Sequence, residues 1–212
     1  MRLYILIALA GFILAATPVS AQEGFQKMKD VAGFKQKLDN IAKVTETIQC
    51  SFVQEKQLSF MKEKMVAKGL FYFDKKNRLR WEYNSPYQYT ILLNDKQLTV
   101  IDNGKVSKID AGKNDTFQKI QGMLTSTLQG DVLDGNDKFS YQLFENDQQA
   151  LIKLTPTDKE IKKYLSGIDL YFDKKDLLMA RIDMHEAGDL TTIRFSNRKV
   201  NQALPAGAFS VK

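Results

Sequence analysis

One cysteine, one histidine, four prolines and one tryptophan stand among 212 residues, and the scarcest types exclude whole classes of chemistry. A lone Cys50 can form no disulfide within the chain. Its alternation with Ile48 and Phe52 gives it the place of a small buried hydrophobe. A zinc site needs several His or Cys ligands, and the chain has one of each. A general base needs a positioned partner; His185 shares strand parity with Arg181 and Asp183, which turns it towards water. There is no G-x-S-x-G elbow and no phosphate loop. Ser59-Phe60-Met61-Lys62 fits the S-x-x-K pattern of penicillin-recognising enzymes, but the S-D-N and K-T-G elements of that chemistry are missing. The chain therefore reads as a protein that is not an enzyme, with no metal and no cofactor.

Charge of one sign is not concentrated. The formal net charge is +6, but no block of five like charges occurs. Lysine and aspartate alternate along the turns, as on a solvated surface, so nucleic acid is not an expected partner. Such a surface is compatible with anionic lipid headgroups. One long apolar run exists, at residues 3–16, after Arg2 and before Val19-Ser20-Ala21. A basic start, a short uncharged run and small residues before a cut describe a secretory signal; a membrane-spanning helix needs about 20 apolar residues. Cleavage is expected after Ala21, and no cysteine follows the cut to carry a lipid anchor. Residues 22–212 then form one exported domain, placed in a bacterial periplasm.

What the chain does have is periodicity. From Phe25 to about Thr47 the spacing is helical: Phe34, Leu38, Ile41 and Ile48 share a stripe, and Gly33 weakens its middle. From Ile48 the period becomes two. Strands are expected at 48–57, 64–73, 78–84, 87–94, 97–102 and 105–110, then at 139–145, 150–155, 164–172, 177–186 and 190–200. Asn103-Gly104 favours a tight primed turn. Between the two runs, Asn114-Asp115 caps a second helical stretch with Phe117, Ile120, Leu124 and Leu128 at helical spacing. About eleven strands with short turns make a meandering antiparallel sheet that must curl to bury a face. The fold class is mainly β, with helices capping one opening.

Residues 70–86 carry the clearest face assignment. Leu79, Trp81 and Tyr83 point one way, and Arg78, Arg80 and Glu82 the other. A short hairpin over residues 74–77 puts Leu70 and Tyr72 on the face of Leu79 and Trp81. Tyr72-Phe73-Asp74-Lys75-Lys76 recurs as Tyr171-Phe172-Asp173-Lys174-Lys175, which is repeated turn chemistry, because the flanks do not match.

The order of motifs is Ser51-Phe52-Val53-Gln54, Gly69-Leu70-Phe71-Tyr72-Phe73, Leu79-Arg80-Trp81-Glu82-Tyr83, Pro86, then Ile91-Leu92-Leu93-Asn94-Asp95-Lys96-Gln97-Leu98. This order resembles the periplasmic outer-membrane lipoprotein carrier (LolA-like) family, over nearly all of residues 22–212. The R-W-x-Y-x-x-P segment is its most specific part. The resemblance implies an unclosed antiparallel barrel of about eleven strands with a helical lid. It implies a monomer whose apolar cavity holds the acyl chains of lipoproteins. Cargo would come from an inner-membrane ABC transporter and go to an outer-membrane acceptor. The cavity is then expected from Phe52, Leu70, Leu79, Trp81, Tyr83, Ile91 and Leu93, with Met179 or Ala180. The lid would add Phe117, Ile120 and Leu124.

Two departures stand out. Lys75 occupies the position of the family's latch arginine, and lysine lacks the planar fork that grips a carboxylate bidentately. The P-x-G-rich tail that often follows Phe209 in the family is missing. Leu79 is expected at the rim, in a loop that meets partners, so a charge there should disturb cargo handover more than folding. The alternative function is a periplasmic binding or sensor protein of the same fold, for another lipid or hydrophobic ligand.

Overall fold

The computed structural model describes residues 24–76, 78–94, 97–110, 133 and 138–211. Among them one antiparallel sheet of twelve strands is formed. The first meander is β2 (Thr47–Gln57), β3 (Met65–Asp74), β4 (Arg78–Ser85), β5 (Tyr89–Asn94), β6 (Gln97–Asp102) and β7 (Lys105–Asp110). The second is β8 (Phe139–Glu145), β9 (Gln149–Pro156), β10 (Gly167–Asp173), β11 (Met179–Glu186) and β12 (Asp189–Val200). A two-residue strand, β1 (Gln26–Lys27), pairs with β8. The spatial order is β1-β8-β9-β10-β11-β12-β2-β3-β4-β5-β6-β7. The meanders join where β12 pairs with β2, and among the described residues β1 and β7 are the unpaired edges, so the barrel is open. At the β6–β7 turn Asn103 and Gly104 have φ of 46° and 83°, as a primed two-residue turn requires.

The helix α1 (Val31–Val44) is shorter than the periodicity suggests. Residues 26 and 27 belong to β1, and the Met28 amide continues that pairing by donating to the Leu143 carbonyl at 3.0 Å. Asp30 starts the helix: its carboxylate accepts from the Gly33 amide at 2.8 Å. A Cβ on Gly33 would fall 2.1 Å from that carboxylate. The glycine that weakens the helix interior is thus what admits its cap. Phe34, Leu38 and Ala42 form the buried stripe, one turn apart. A single helical turn, Lys159–Lys162, sits between β9 and β10 behind an Asp158 cap, where the periodicity suggests only a loop. The expected helix at residues 115–129 lies outside the described residues.

The β3–β4 register corrects the hairpin assignment. Phe73 faces Leu79, Phe71 faces Trp81, and Leu70 and Tyr72 face Glu82 and Arg80. The turn has three residues, 75–77, because Asp74 and Arg78 pair directly across it and form an ion pair. An odd loop in place of an even one moves every β3 side chain to the other face. Gly69 then lies opposite Tyr83, where a Cβ would sit 1.9 Å from the Glu82 carbonyl oxygen and 2.6 Å from the Phe52 ring.

The inner residues of both meanders and the stripe of α1 form one apolar core. The outer face is partly covered by segments that precede and follow the long strands. Phe25 packs edge-on against Tyr171, with ring centroids 5.9 Å apart. Near the other terminus, the Arg78 guanidinium lies 4.7 Å from the Phe209 ring, and Arg80 donates to the Ser210 carbonyl at 3.1 Å.

Candidate ligand cavity

Between α1 and the inner face of the sheet lies a cavity of about 290 Å³. Leu38, Ile41 and Ala42 of α1 form its roof. One wall comes from the first meander: Ile48, Phe71, Trp81, Tyr83 and Ile91. The opposite wall comes from the second: Ile168, Leu170 and Phe172 of β10, Ile182 and Met184 of β11, and Ile193 and Phe195 of β12. Alternation along these strands, shifted locally by a bulge between Met179 and Arg181, presents one apolar face inwards.

The aromatic wall is continuous. Phe52 lies 4.9 Å from Trp81 and 5.1 Å from Tyr83, measured between ring centroids. Phe71 and Phe195 meet Trp81 edge-on at 5.4 and 6.1 Å. Tyr83 passes the row on to Tyr87 at 5.9 Å.

Few polar atoms interrupt this lining. The Tyr83 hydroxyl donates to Gln54 Oε1 at 2.8 Å. Burial pushes the Tyr83 phenol up to about 12; Tyr87 adds to the rise and the Trp81 indole opposes it. Trp81 Nε1 is buried and leans on the Tyr83 hydroxyl without reaching hydrogen-bonding geometry. The Thr45 hydroxyl is spent on the Ile41 carbonyl at 2.7 Å. Arg198 turns its guanidinium to the Leu178 and Met179 carbonyls, at 3.0 and 3.2 Å, and to Asp173. Cys50 is part of the wall, and burial pushes its thiol up to about 12 against the pull of Arg198. A thiol held so far from ionisation is a weak nucleophile. The arrangement offers apolar contact and little chemistry. Among the described residues no three His, Cys, Asp or Glu side chains cluster as metal ligands.

Of the expected lining residues, Trp81, Tyr83, Ile91 and Met179 reach the cavity surface. Phe52, Leu79 and Leu93 share the inner face but lie in the packed core beside it. Leu70 is corrected to the outer face by the register of β3. Phe71 stands where Leu70 was expected. Leu79 is also not a rim residue: only 9% of it is exposed. A charge there would be buried in the core, so it would damage folding first. Phe117, Ile120 and Leu124 lie outside the described residues.

Lys75 sits in the β3–β4 turn against the end of α1. Its ammonium donates to the Lys43 carbonyl at 2.5 Å and to Glu46 Oε1 at 3.2 Å. A cation there meets the negative end of the helix dipole. Asn201 adds a second tie, Nδ2 to the Val44 carbonyl at 2.8 Å.

The wall from β10, β11 and β12 was missed apart from Met179. The signal was there: Ile168, Leu170 and Phe172 alternate, as do Ile193 and Phe195. What periodicity could not supply was the pairing of β12 with β2, which brings that face opposite Trp81.

The family model of the outer membrane lipoprotein carrier protein LolA matches residues 43–212. Compared by sequence with curated proteins, the chain matches none. Among solved structures, an uncharacterized conserved protein from Thermus thermophilus aligns with a TM-score of 0.51 and 12% identity, over 85% of this chain and 94% of that one. A LolA superfamily protein from Nitrosomonas europaea aligns at 0.44 and 13%, over 84% and 96%. The MucA/MucB complex of Pseudomonas aeruginosa aligns at 0.48 and 13%, over 87% and 62%. At these identities the structural likenesses concern the fold alone.

Proposed function

The chain belongs to the outer membrane lipoprotein carrier protein LolA family, and on that premise we propose that it carries acylated lipoproteins through the periplasm with their acyl chains in the cavity under α1. The observation that carries this reading is the cavity itself: about 290 Å³, walled by aliphatic and aromatic side chains. Each methylene moved from water into such a space gains about 0.8 kcal/mol. Trp81 Nε1 is the donor that an acyl carbonyl would satisfy.

The volume also bears on mechanism. Ligand sites usually span about 300–1,000 Å³, so the cavity is at the small end and must widen for long chains. The movable part is the roof. Lys75 and Asn201 hold the C-terminal end of α1, and opening would break those exposed bonds before it disturbs the sheet. Lys75 thus serves as a latch on α1. Phe117, Ile120 and Leu124 would complete the lid. The donor is an inner-membrane ABC transporter and the recipient an outer-membrane acceptor.

The test is to purify the protein after export and identify what accompanies it by mass spectrometry. The expected result is an acylated lipoprotein, on a protein that begins at Gln22. A free lipid in its place would support the binding or sensor alternative. No bound acyl group, together with Trp81 emission that ignores added acyl ligands, would end the carrier reading.

A further inference from the structure

Exposed apolar side chains are not spread evenly over this molecule. Among the described residues eleven large hydrophobics are exposed. Eight of them stand at one end of the sheet, in loops or within three residues of a strand end. That end holds the β2–β3, β4–β5, β6–β7, β9–β10 and β11–β12 connections. Phe60 is 80% exposed, Tyr164 74%, Met65 54% and Tyr87 47%. Exposed apolar side chains gathered at one end point to an interaction surface.

The most exposed of these is held out by a built loop. In the β2–β3 connection the Met61 amide donates to the Leu58 carbonyl at 3.1 Å. Gln57 Nε2 donates to the Met61 carbonyl at 2.5 Å. The Ser59 amide donates to Asp189 Oδ1 at 2.8 Å, which ties the loop to the neighbouring β11–β12 turn. These bonds fix the loop around Phe60 and leave that side chain exposed.

We propose that this end of the barrel docks on an anionic lipid surface, with Phe60 and Met61 entering the headgroup region. Three features favour lipid over a folded protein partner. The β2–β3 and β9–β10 connections carry five lysines against three carboxylates; Lys64 and Lys163 pair with Glu55 and Glu160, which leaves Lys62, Lys159 and Lys162 beside the apolar tips to meet anionic headgroups. The apolar tips stand on separate loops, spaced across several strands about 4.8 Å apart. A fluid surface moulds around such points, whereas a protein needs a continuous complementary patch. Finally, the cavity's aromatic wall runs out to this end: Trp81 and Tyr83 line the cavity, and Tyr83 meets Tyr87 at the rim. Binding to lipid by this end does not depend on what the cavity carries, so it can be tested apart from the carrier reading.

The test is flotation with vesicles of phosphatidylcholine alone or mixed with phosphatidylglycerol. It uses protein purified after export, with its N-terminus read by mass spectrometry, so that the apolar run at residues 3–16 cannot supply the contact. The protein should float with the mixed vesicles and not with phosphatidylcholine alone. About 1 M salt, with a screening length of about 3 Å, should release it. Joint Phe60→Ser and Met61→Ser should weaken partitioning about tenfold or more without changing thermal unfolding, because both side chains are exposed. Lys62→Gln should weaken it about fivefold. The proposal is overturned if the protein ignores anionic vesicles, or if the double variant floats like the parent. It is equally overturned if the double variant keeps vesicle binding but loses handover to a purified acceptor, since the loop would then be a protein-docking site.

Discussion

Replacing Ala42 by leucine tests whether the space under α1 is room or packing. Ala42 is 9% exposed and sits in the roof of the cavity. Leucine adds three carbons. A cavity of about 150 Å³ already holds benzene, so 290 Å³ has room for them without moving the sheet. Each added carbon gains about 0.8 kcal/mol on burial, and fixing the leucine rotamer costs about 0.5–1 kcal/mol. The ligand-free protein should therefore gain about 1.5 kcal/mol, a rise of about 3–6 °C in unfolding midpoint for a chain of this size. The same carbons occupy ligand space, so acyl affinity should fall about tenfold. The assay is thermal unfolding of delipidated protein, followed by titration of Trp81 emission with a fatty acid. Overpacking costs about 1–3 kcal/mol and has the opposite sign. A lower midpoint for Ala42→Leu would show that the roof is already packed, and the cavity would cease to explain binding.

Three other substitutions or treatments probe the frame around it. Gly69→Ala puts a Cβ against the Glu82 carbonyl and the Phe52 ring. Backbone cannot yield there, so urea unfolding should show a loss of about 1–3 kcal/mol, and a loss within experimental error would refute the close packing. The Lys174 ammonium, together with the Lys29 amide, holds the Glu145 carboxyl below its usual range. A lowered folded pKa contributes stability above the unfolded value of about 4.3 that is lost as pH falls through the folded one. The stability gap between the parent and Glu145→Gln should therefore narrow between neutral pH and about pH 3; an unchanged gap would show that the carboxylate charge is idle. Cys50, with its thiol raised to about 12, should resist iodoacetamide at mildly alkaline pH in the folded protein and react fully in urea. Equal rates in both states would place the thiol outside the core.

The two kinds of information in the chain reached different depths. Strand positions were legible because alternation and turn chemistry are local: Asn103-Gly104 could hardly be anything but a primed turn. Register was less legible, because it hangs on one loop residue. Asp74 and Arg78 read as ends of neighbouring strands, but their direct pairing is a tertiary choice made by an ion pair. That choice moved Leu70 outwards and Phe71 inwards. The start of α1 failed for a related reason. Phe25 and Met28 extend the helical stripe on paper, but Asp30 and Gly33 cap it later, and Met28 is claimed by the backbone of β8.

The cavity was half legible because its two walls come from different meanders. Within residues 70–93 the parity of Trp81, Tyr83 and Ile91 follows from adjacent hairpins, where each turn hands its register to the next strand. The other wall depends on β12 lying beside β2, a pairing between Phe52 and Phe195 that spans most of the chain. No local signal specifies such a contact; it exists because two long curled meanders can each cover the apolar face of the other. The same pairing gives the sheet its open form. It uses the inner edges of both meanders and, among the described residues, leaves β1 and β7 unpaired, so the strands can spread while the hydrogen-bonded centre stays intact. Opening a cavity for a long chain then needs movement of α1 and of the outer strands, and none in the β12–β2 joint. A disulfide placed across that joint should leave acyl binding unaltered, whereas one that ties α1 to β4 should abolish it. If both cross-links blocked binding equally, the joint itself would have to move, and the picture of a rigid centre under a moving roof would be wrong.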